Sequence, residues 1–246
     1  MGGDRLWGVV PAAGLGERMR GGGGAAKQFL SIGGVPMLAV TLKALFHAAD
    51  FAGVVLTLRE DDFETAEDIL AKYVRERSSV ACVPGGAVRQ ESVYNGIRAV
   101  MERGGDPDDL VAIHDAARPV IHKDVVERAV TAARTSGAAV AVVPAVDAAV
   151  LTDGVRIDSY LDRKRLFRIQ TPQVFRLGLI ADAHEHARKR GVTDAVDDAS
   201  LIIENGGEVR IVPGDPNNIK VTHPGDSPWW RESWRATTGT RMSEGG

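Results

Sequence analysis

A single cysteine, Cys82, in 246 residues leaves no internal disulfide to form. That excludes a disulfide-stapled secreted scaffold and points to a reducing compartment, the cytoplasm. Positive charge is not in excess either: 30 Lys and Arg face 33 Asp and Glu, a formal net charge of −3. A chain so balanced offers no global field to a phosphate backbone, so no nucleic-acid partner is expected. No window approaches the roughly 18 apolar residues of a membrane span, and the opening MGGDRLWG has no basic stretch followed by a long apolar one. Neither a membrane partner nor a secretory leader is expected. Leu6 stands where a myristoylated Gly2 would want Ser or Thr. Internal repeats are also missing.

What is there is a substantial core: 44% of the residues are hydrophobic, enough for one large α/β domain or two small ones. Apolar, β-branched runs predict strands at 6–10, 53–58, 80–83, 110–114, 138–144 and 209–212. Between most of them, apolar residues spaced three and four apart predict helices at 62–75, 91–103, 123–134 and 180–190. Strand and helix alternating in this way predict an α/β fold, a Rossmann-like, mostly parallel sheet sandwiched by helices. The domain is expected to span 1–236, with a small polar, disordered tail at 237–246. From Val146 to Arg176 the alternation breaks into two or three short strands around Asp153-Gly154, an inserted β arm. A hairpin without its own core packs on something else, here a second subunit.

Open α/β sheets bind ligands beyond the carboxyl ends of their strands. Four unusual segments follow predicted strands here: the glycine loop after Val10, PGGAVRQESV from Pro84, HDAARP from His114 and GDPNNIKVT from Gly214. The first is the richest. Small residues in LWGVVPAAGLGERMRGGGGAAKQFL, from Leu6 to Leu30, let backbone N–H groups approach an anion, with Arg18 and Lys27 as flanking cations. It is not a dinucleotide fingerprint, because Met19 occupies the third glycine position. Nor is it a P-loop: Lys27 lies between Ala26 and Gln28, with no adjacent hydroxyl for magnesium. A glycine-rich connection with incidental charges is the bland alternative. The AAGLGERM turn and the AAKQFL step resemble the opening signature of sugar-nucleotide pyrophosphorylases and related nucleotidyltransferases.

Taken in order, PAAGLGERM, KQFLSIGG, PGGAVRQESV, HDAARP, QTPQVF, DDASL and NNIKVT resemble the cytidylyltransferase family of the non-mevalonate isoprenoid pathway over almost the whole chain. That family joins CTP to 2-C-methyl-D-erythritol 4-phosphate and releases diphosphate. The resemblance implies that Arg18 and Lys27 stabilise charge on the α-phosphate. It places Ala12, Ala13, Gly14 and Gly16 around the triphosphate and Gly85, Gly86 and Ser92 around cytosine and ribose, with Arg89, Asp115 and Ala116 also binding the nucleotide. It further implies that Asp115, beside Ala116, contacts Mg2+ or another divalent cation and borders the acceptor, with Arg118 toward that acceptor. Arg163 would reach the acceptor phosphate from the neighbouring subunit, Thr171 would touch the same substrate, and Lys220 would position it. The implied partners are therefore CTP, a polyol phosphate and a second copy of the chain, joined through the 146–176 arm.

Departures fall on the acceptor side. The chain reads Asp147-Ala148-Ala149-Val150 where many relatives carry a DTxK-like stretch, and Val196 stands where threonine is frequent. Transfer to another polyol phosphate, such as ribitol 5-phosphate, is thus the rival within the class. A catalytically silent nucleotide-binding module is the rival outside it. His114 is expected to be structural, since an anionic acceptor needs no base. His184 and His186, two apart, point away from each other on a helix and cannot share a metal. Glu91 and Ser92 have a plainer reading as helix caps. Trp229, Trp230 and Trp234 suggest packing of a final helix.

Overall fold

The computed structural model describes residues 4–14 and 27–222 of the chain. Arg18, Gly16, the three C-terminal tryptophans and the 237–246 tail lie outside the described residues, as does the side chain of Lys27. Strand β1 (Leu6–Pro11) leads to a two-stranded ribbon, β2 (Ser31–Ile32) and β3 (Val35–Pro36), and then to helix α1 (Met37–Ala48). β4 (Gly53–Leu58), α2 (Phe63–Tyr73), β5 (Val80–Pro84), α3 (Arg89–Glu102), β6 (Leu110–Ile113), α4 (Lys123–Ser136) and β7 (Ala138–Pro144) continue the alternation. The hairpin β8 (Val150–Thr152) and β9 (Ile157–Tyr160) interrupts it. β10 (Phe167–Arg176), α5 (Leu177–Lys189), α6 (Asp198–Glu204) and β11 (Arg210–Pro213) complete the described chain.

The seven-stranded sheet runs β11-β7-β10-β6-β1-β4-β5. All pairs are parallel except those of β10, which is antiparallel to both β6 and β7. Helices cover both faces, so side chains leaving a strand in either direction are buried. Leu6 and Val10 enter the core under α1, α2 and α4, while Trp7 and Val9 enter the core under α3, α5 and α6. This two-sided burial is why the strands read as unbroken apolar runs. Gly137 ends α4 in the left-handed region (φ 81°), its N–H donating to the Ala133 carbonyl at 2.8 Å, a conformation that suits glycine.

Two differences from the sequence expectations have physical causes. Helix α1 is absent from the predicted elements because nearly every side of it is buried: Leu38, Ala39, Val40, Leu42 and Leu45 all lie within 1% of full burial, leaving only the narrow exposed strip of Lys43 and His47 to display a helical period. The arm is also shorter than 146–176. Its last ten residues form β10, a central strand, and only 146–166 stand out from the sheet. Gln170, Thr171, Pro172 and Gln173 disguised β10 as surface, yet Gln170, Thr171 and Gln173 are buried and hydrogen-bonded. The register shifts between Ile169 and Gln173, where the Thr171-Pro172 bond is cis. The turn at Asp153-Gly154 is where the sequence placed it, with Gly154 at φ 93°.

Candidate active site

The carboxyl ends of β1, β5 and β6 and the segment after β11 converge on one cavity of about 330 Å³. Its floor is built of small residues: Ala12, whose N–H donates to the Thr57 carbonyl at 2.9 Å, followed by Ala13 and Gly14. The turn after β5 forms a second wall. There the Gly85 N–H donates to the Leu58 carbonyl, the Gly86 N–H to the Ser92 hydroxyl at 3.0 Å and the Ala87 N–H to Glu91 Oε2 at 2.9 Å. Ser92 also donates to the Val88 carbonyl. Ser92 therefore borders the cavity but spends its hydroxyl on the turn, as does the Glu91 carboxylate. Neither caps α3, whose N-cap is Val88 without a side-chain bond; both brace the turn that precedes it, and the backbone of the turn is what remains for a ligand.

Opposite this wall stands Asp115, just past the end of β6. Its carboxylate receives Arg89 Nε at 3.1 Å, Lys220 Nζ at 2.9 Å and Arg118 Nε at 3.4 Å. Burial would raise the Asp115 pKa, but Arg89, Lys220 and Arg118 outweigh it and hold the carboxyl far below the usual carboxylate range. Arg89 also donates to Asp198 Oδ2 at 2.8 Å. Burial opposes the charge of this guanidinium, but Asp198 and Asp115 more than offset it. Arg118 additionally donates to the Asn218 carbonyl at 2.7 Å, which ties the segment after β11 to the end of β6. Three cations around two carboxylates leave a surplus of one positive charge beside a cavity lined by backbone and small side chains. Such a site suits a phosphorylated ligand.

Beneath Asp115 the chain is sealed. Its N–H donates to the Thr171 hydroxyl at 3.1 Å, and that hydroxyl meets His114 Nδ1 at 3.0 Å. Thr171 is thus buried beneath Asp115 and does not line this cavity. His114 is fully buried and structural, its pKa pushed down to about 4 chiefly by burial. His184 is buried against Asp198 while His186 is exposed, so the pair shares no ligand. Arg163 is exposed in the short turn Arg163–Arg165 of the arm and does not line the cavity of its own chain.

The expected metal role of Asp115 does not fit its surroundings. Both carboxylate oxygens already face cations, and a divalent ion on them would meet three positive charges. No cluster of three or more His, Cys, Asp or Glu suited to a metal occurs among the described residues. Gln170, Gln173, Asp198 and Asn218 were missed as supports of the site. Their motifs QTPQVF, DDASL and NNIKVT were visible, but nothing in a linear sequence tells that their polar side chains turn inward to brace loops.

A mostly parallel sheet with a small-residue loop, a backbone-lined turn and a cationic pocket at its strand ends defines the chain as a nucleotidyltransferase of Rossmann-like build. The family model described as IspD, 2-C-methyl-D-erythritol 4-phosphate cytidylyltransferase, matches residues 6–228. A protein of that name from Geobacillus thermodenitrificans is 40% identical over 218 residues, covering 89% of this chain and 92% of its own. Another from Geobacter metallireducens is 38% identical over 225 residues, covering 90% and 94%. The crystal structure of the enzyme of that name from Thermus thermophilus superposes with a TM-score of 0.73 at 31% identity, covering 94% of this chain and 99% of that one. The chain belongs to the 2-C-methyl-D-erythritol 4-phosphate cytidylyltransferase family.

Proposed function

We infer that this protein transfers CMP from CTP to 2-C-methyl-D-erythritol 4-phosphate, forming 4-diphosphocytidyl-2-C-methyl-D-erythritol and releasing diphosphate. The observation that carries the reading is the triple contact of Arg89, Arg118 and Lys220 with Asp115 at the shared strand ends, within a chain of this family. The carboxylate locks three cations into one array, and Lys220 and Arg118 keep a net positive wall for the acceptor phosphate. That phosphate is already anionic, so its oxygen attacks the α-phosphorus of CTP in line without a general base. The new P–O bond forms as the bond to the departing diphosphate breaks. The sealed, neutral ring of His114 accords with a reaction that asks nothing of it. Arg18 and Lys27 are assigned the charge that develops on the α-phosphate.

Asp115, both of whose oxygens face cations, would not hold a magnesium ion, so any magnesium the reaction needs would arrive with the nucleotide. The turn at Gly85 and Gly86 presents backbone groups for cytosine, whose N4 donor and N3 and O2 acceptors distinguish it from uracil. Arg163 serves the acceptor phosphate of a partner subunit, which makes the protein a homodimer joined through the arm. Exposed Val155, Ile157 and Tyr160 on that hairpin support the pairing. A cytoplasmic location is supported by the lone Cys82, and no described helix is long and apolar enough to cross a membrane.

The test is diphosphate release from CTP with methylerythritol phosphate and, separately, ribitol 5-phosphate. Release with the first and not the second is expected. Equal rates, or release only with ribitol 5-phosphate, would overturn the assignment of the acceptor.

A further inference from the structure

Among the described residues, Arg89 alone bridges two buried carboxylates carried by different elements. Its Nε meets Asp115 beside the cavity and its Nη1 meets Asp198 at the start of α6. Asp198 is not needed where it stands for the helix it begins: Asp197 is the N-cap, its Oδ1 accepting the Ser200 N–H at 2.8 Å. Both Asp198 oxygens instead face outward from α6, Oδ2 to Arg89 and Oδ1 to His184 Nε2 at 3.3 Å. Asp198 and His184 are 1% and 0% exposed. A buried ion pair stabilises a fold no better than apolar residues of the same volume, so stability alone gives no reason for a charge here. What the charge adds is a fixed direction for a forked, planar guanidinium.

We propose that Asp198, held by His184, is a positioning residue for the nucleotide site: it fixes the Arg89 guanidinium and thereby the Asp115 carboxylate on which Lys220 and Arg118 converge. The inference rests on the cytidylyltransferase reading and extends the working site to α5 and α6, which no part of the substrate needs to touch. Arg89 keeps about a third of its side chain exposed toward the cavity, so a guanidinium released from Asp198 can swing into the space the nucleotide requires. Loss of Asp198 should therefore appear chiefly as weaker CTP use, with less effect on the turnover of bound substrate.

The test is a double-mutant cycle of Asp198→Asn and Arg89→Ala, read as the KM for CTP, kcat and direct CTP binding by calorimetry. Asp198→Asn is expected to raise the KM for CTP about tenfold with a smaller change in kcat, and the double variant to match Arg89→Ala within about twofold. A general packing defect would instead multiply the two losses, and that result, or an unchanged CTP affinity in Asp198→Asn, overturns the proposal. If Asp198→Asn does not fold, His184→Gln leaves both carboxylates in place and is put through the same cycle with the same criteria. Should the unaltered protein bind CTP but release no diphosphate, the functional reading fails, while the cycle read on CTP binding still decides the role of Asp198.

Discussion

The Thr171 hydroxyl and His114 Nδ1 lie 3.0 Å apart beneath Asp115, and the bonds around them fix which atom holds the proton. The Arg118 carbonyl can only accept, so His114 Nε2, 3.0 Å away, carries the hydrogen. Thr171 accepts from the Asp115 N–H and donates its own hydrogen to Nδ1. The neutral ring thus completes a chain from the β6 end to β10, and a second ring proton would oppose the threonine's donor.

This arrangement predicts acid sensitivity with a definite sign. The folded pKa of His114 is lowered to about 4, chiefly by burial, whereas an unfolded histidine titrates near 6.5. Between those values the unfolded chain binds the extra proton, so stability falls as pH drops through that window, by about 3 kcal/mol in all. Denaturant midpoints measured from pH 7 to pH 4 should show the loss. In His114→Gln, which can keep both hydrogen bonds, the slope over this window should flatten, and an unchanged slope would assign it to other groups.

Asp115→Asn tests the carboxylate at the centre of the three cations. The side chain keeps its shape but no longer neutralises Arg89, Arg118 and Lys220. Arg89 and Lys220 are each about a third exposed and partly screened, so the expected destabilisation at pH 7 is about 2 kcal/mol. Turnover should fall at least about tenfold as the array loosens. Because the folded pKa of Asp115 is depressed, its contribution is present above the unfolded value near 4 and is lost as pH falls further. Stability curves of the two proteins should therefore approach each other below pH 4. A constant gap would mean that the cost is steric.

At Gly85 the turn after β5 depends on a close approach. A Cβ there would collide with the Ala13 side chain and crowd Ser92 Oγ at 3.1 Å. Ala13 has no rotamer by which to yield, so Gly85→Ala must push the turn and the small-residue floor apart. The expected cost is about 1–3 kcal/mol, together with a raised KM for CTP. A thermal melt and CTP kinetics check both. Normal CTP kinetics would mean that the gap between the two walls does not hold the nucleotide.

Lys27→Ala is expected to lower turnover about a hundredfold while the melting temperature stays within a few degrees, the loss typical of one fixed donor at a developing charge. Near-normal turnover would remove Lys27 from catalysis.

Much of this molecule is legible in the residues themselves. The strands at 53–58 and 138–144 coincide with β4 and β7, because strands buried on both faces read as apolar runs. The convergence of four loops follows from placing each after such a run, and Asp115, Lys220 and Arg89 meet as a result. Helix α1 and strand β10 were not legible for opposite reasons: one exposes only Lys43 and His47 to show its period, and the other hides polar side chains in the core. The same difficulty concealed Asp198, whose partner Arg89 is 109 positions away. Local pattern carries periodicity and turns, but it does not say which buried charge answers which.

The arm offers a test in which two inactive chains repair each other. Every residue of the β8–β9 hairpin outside Val150 is exposed, including Leu151, Ile157 and Tyr160, and an isolated two-stranded hairpin is marginal in water. In the proposed dimer a partner's surface would supply what it lacks, and the arm would carry Arg163 into the neighbouring cleft. In a hybrid of one Arg163→Ala chain and one Lys27→Ala chain, the first contributes an intact cleft and the second an intact arm, so one of the two sites is whole. Random exchange at equal concentrations makes half the dimers hybrid and restores about a quarter of the wild-type sites, as a two-fold assembly requires. Arg163 acting on its own chain's cleft would give no recovery, since every chain would then lack one group or the other. Diphosphate release measured after subunit exchange, with exchange verified by mass-tagged chains, separates these outcomes.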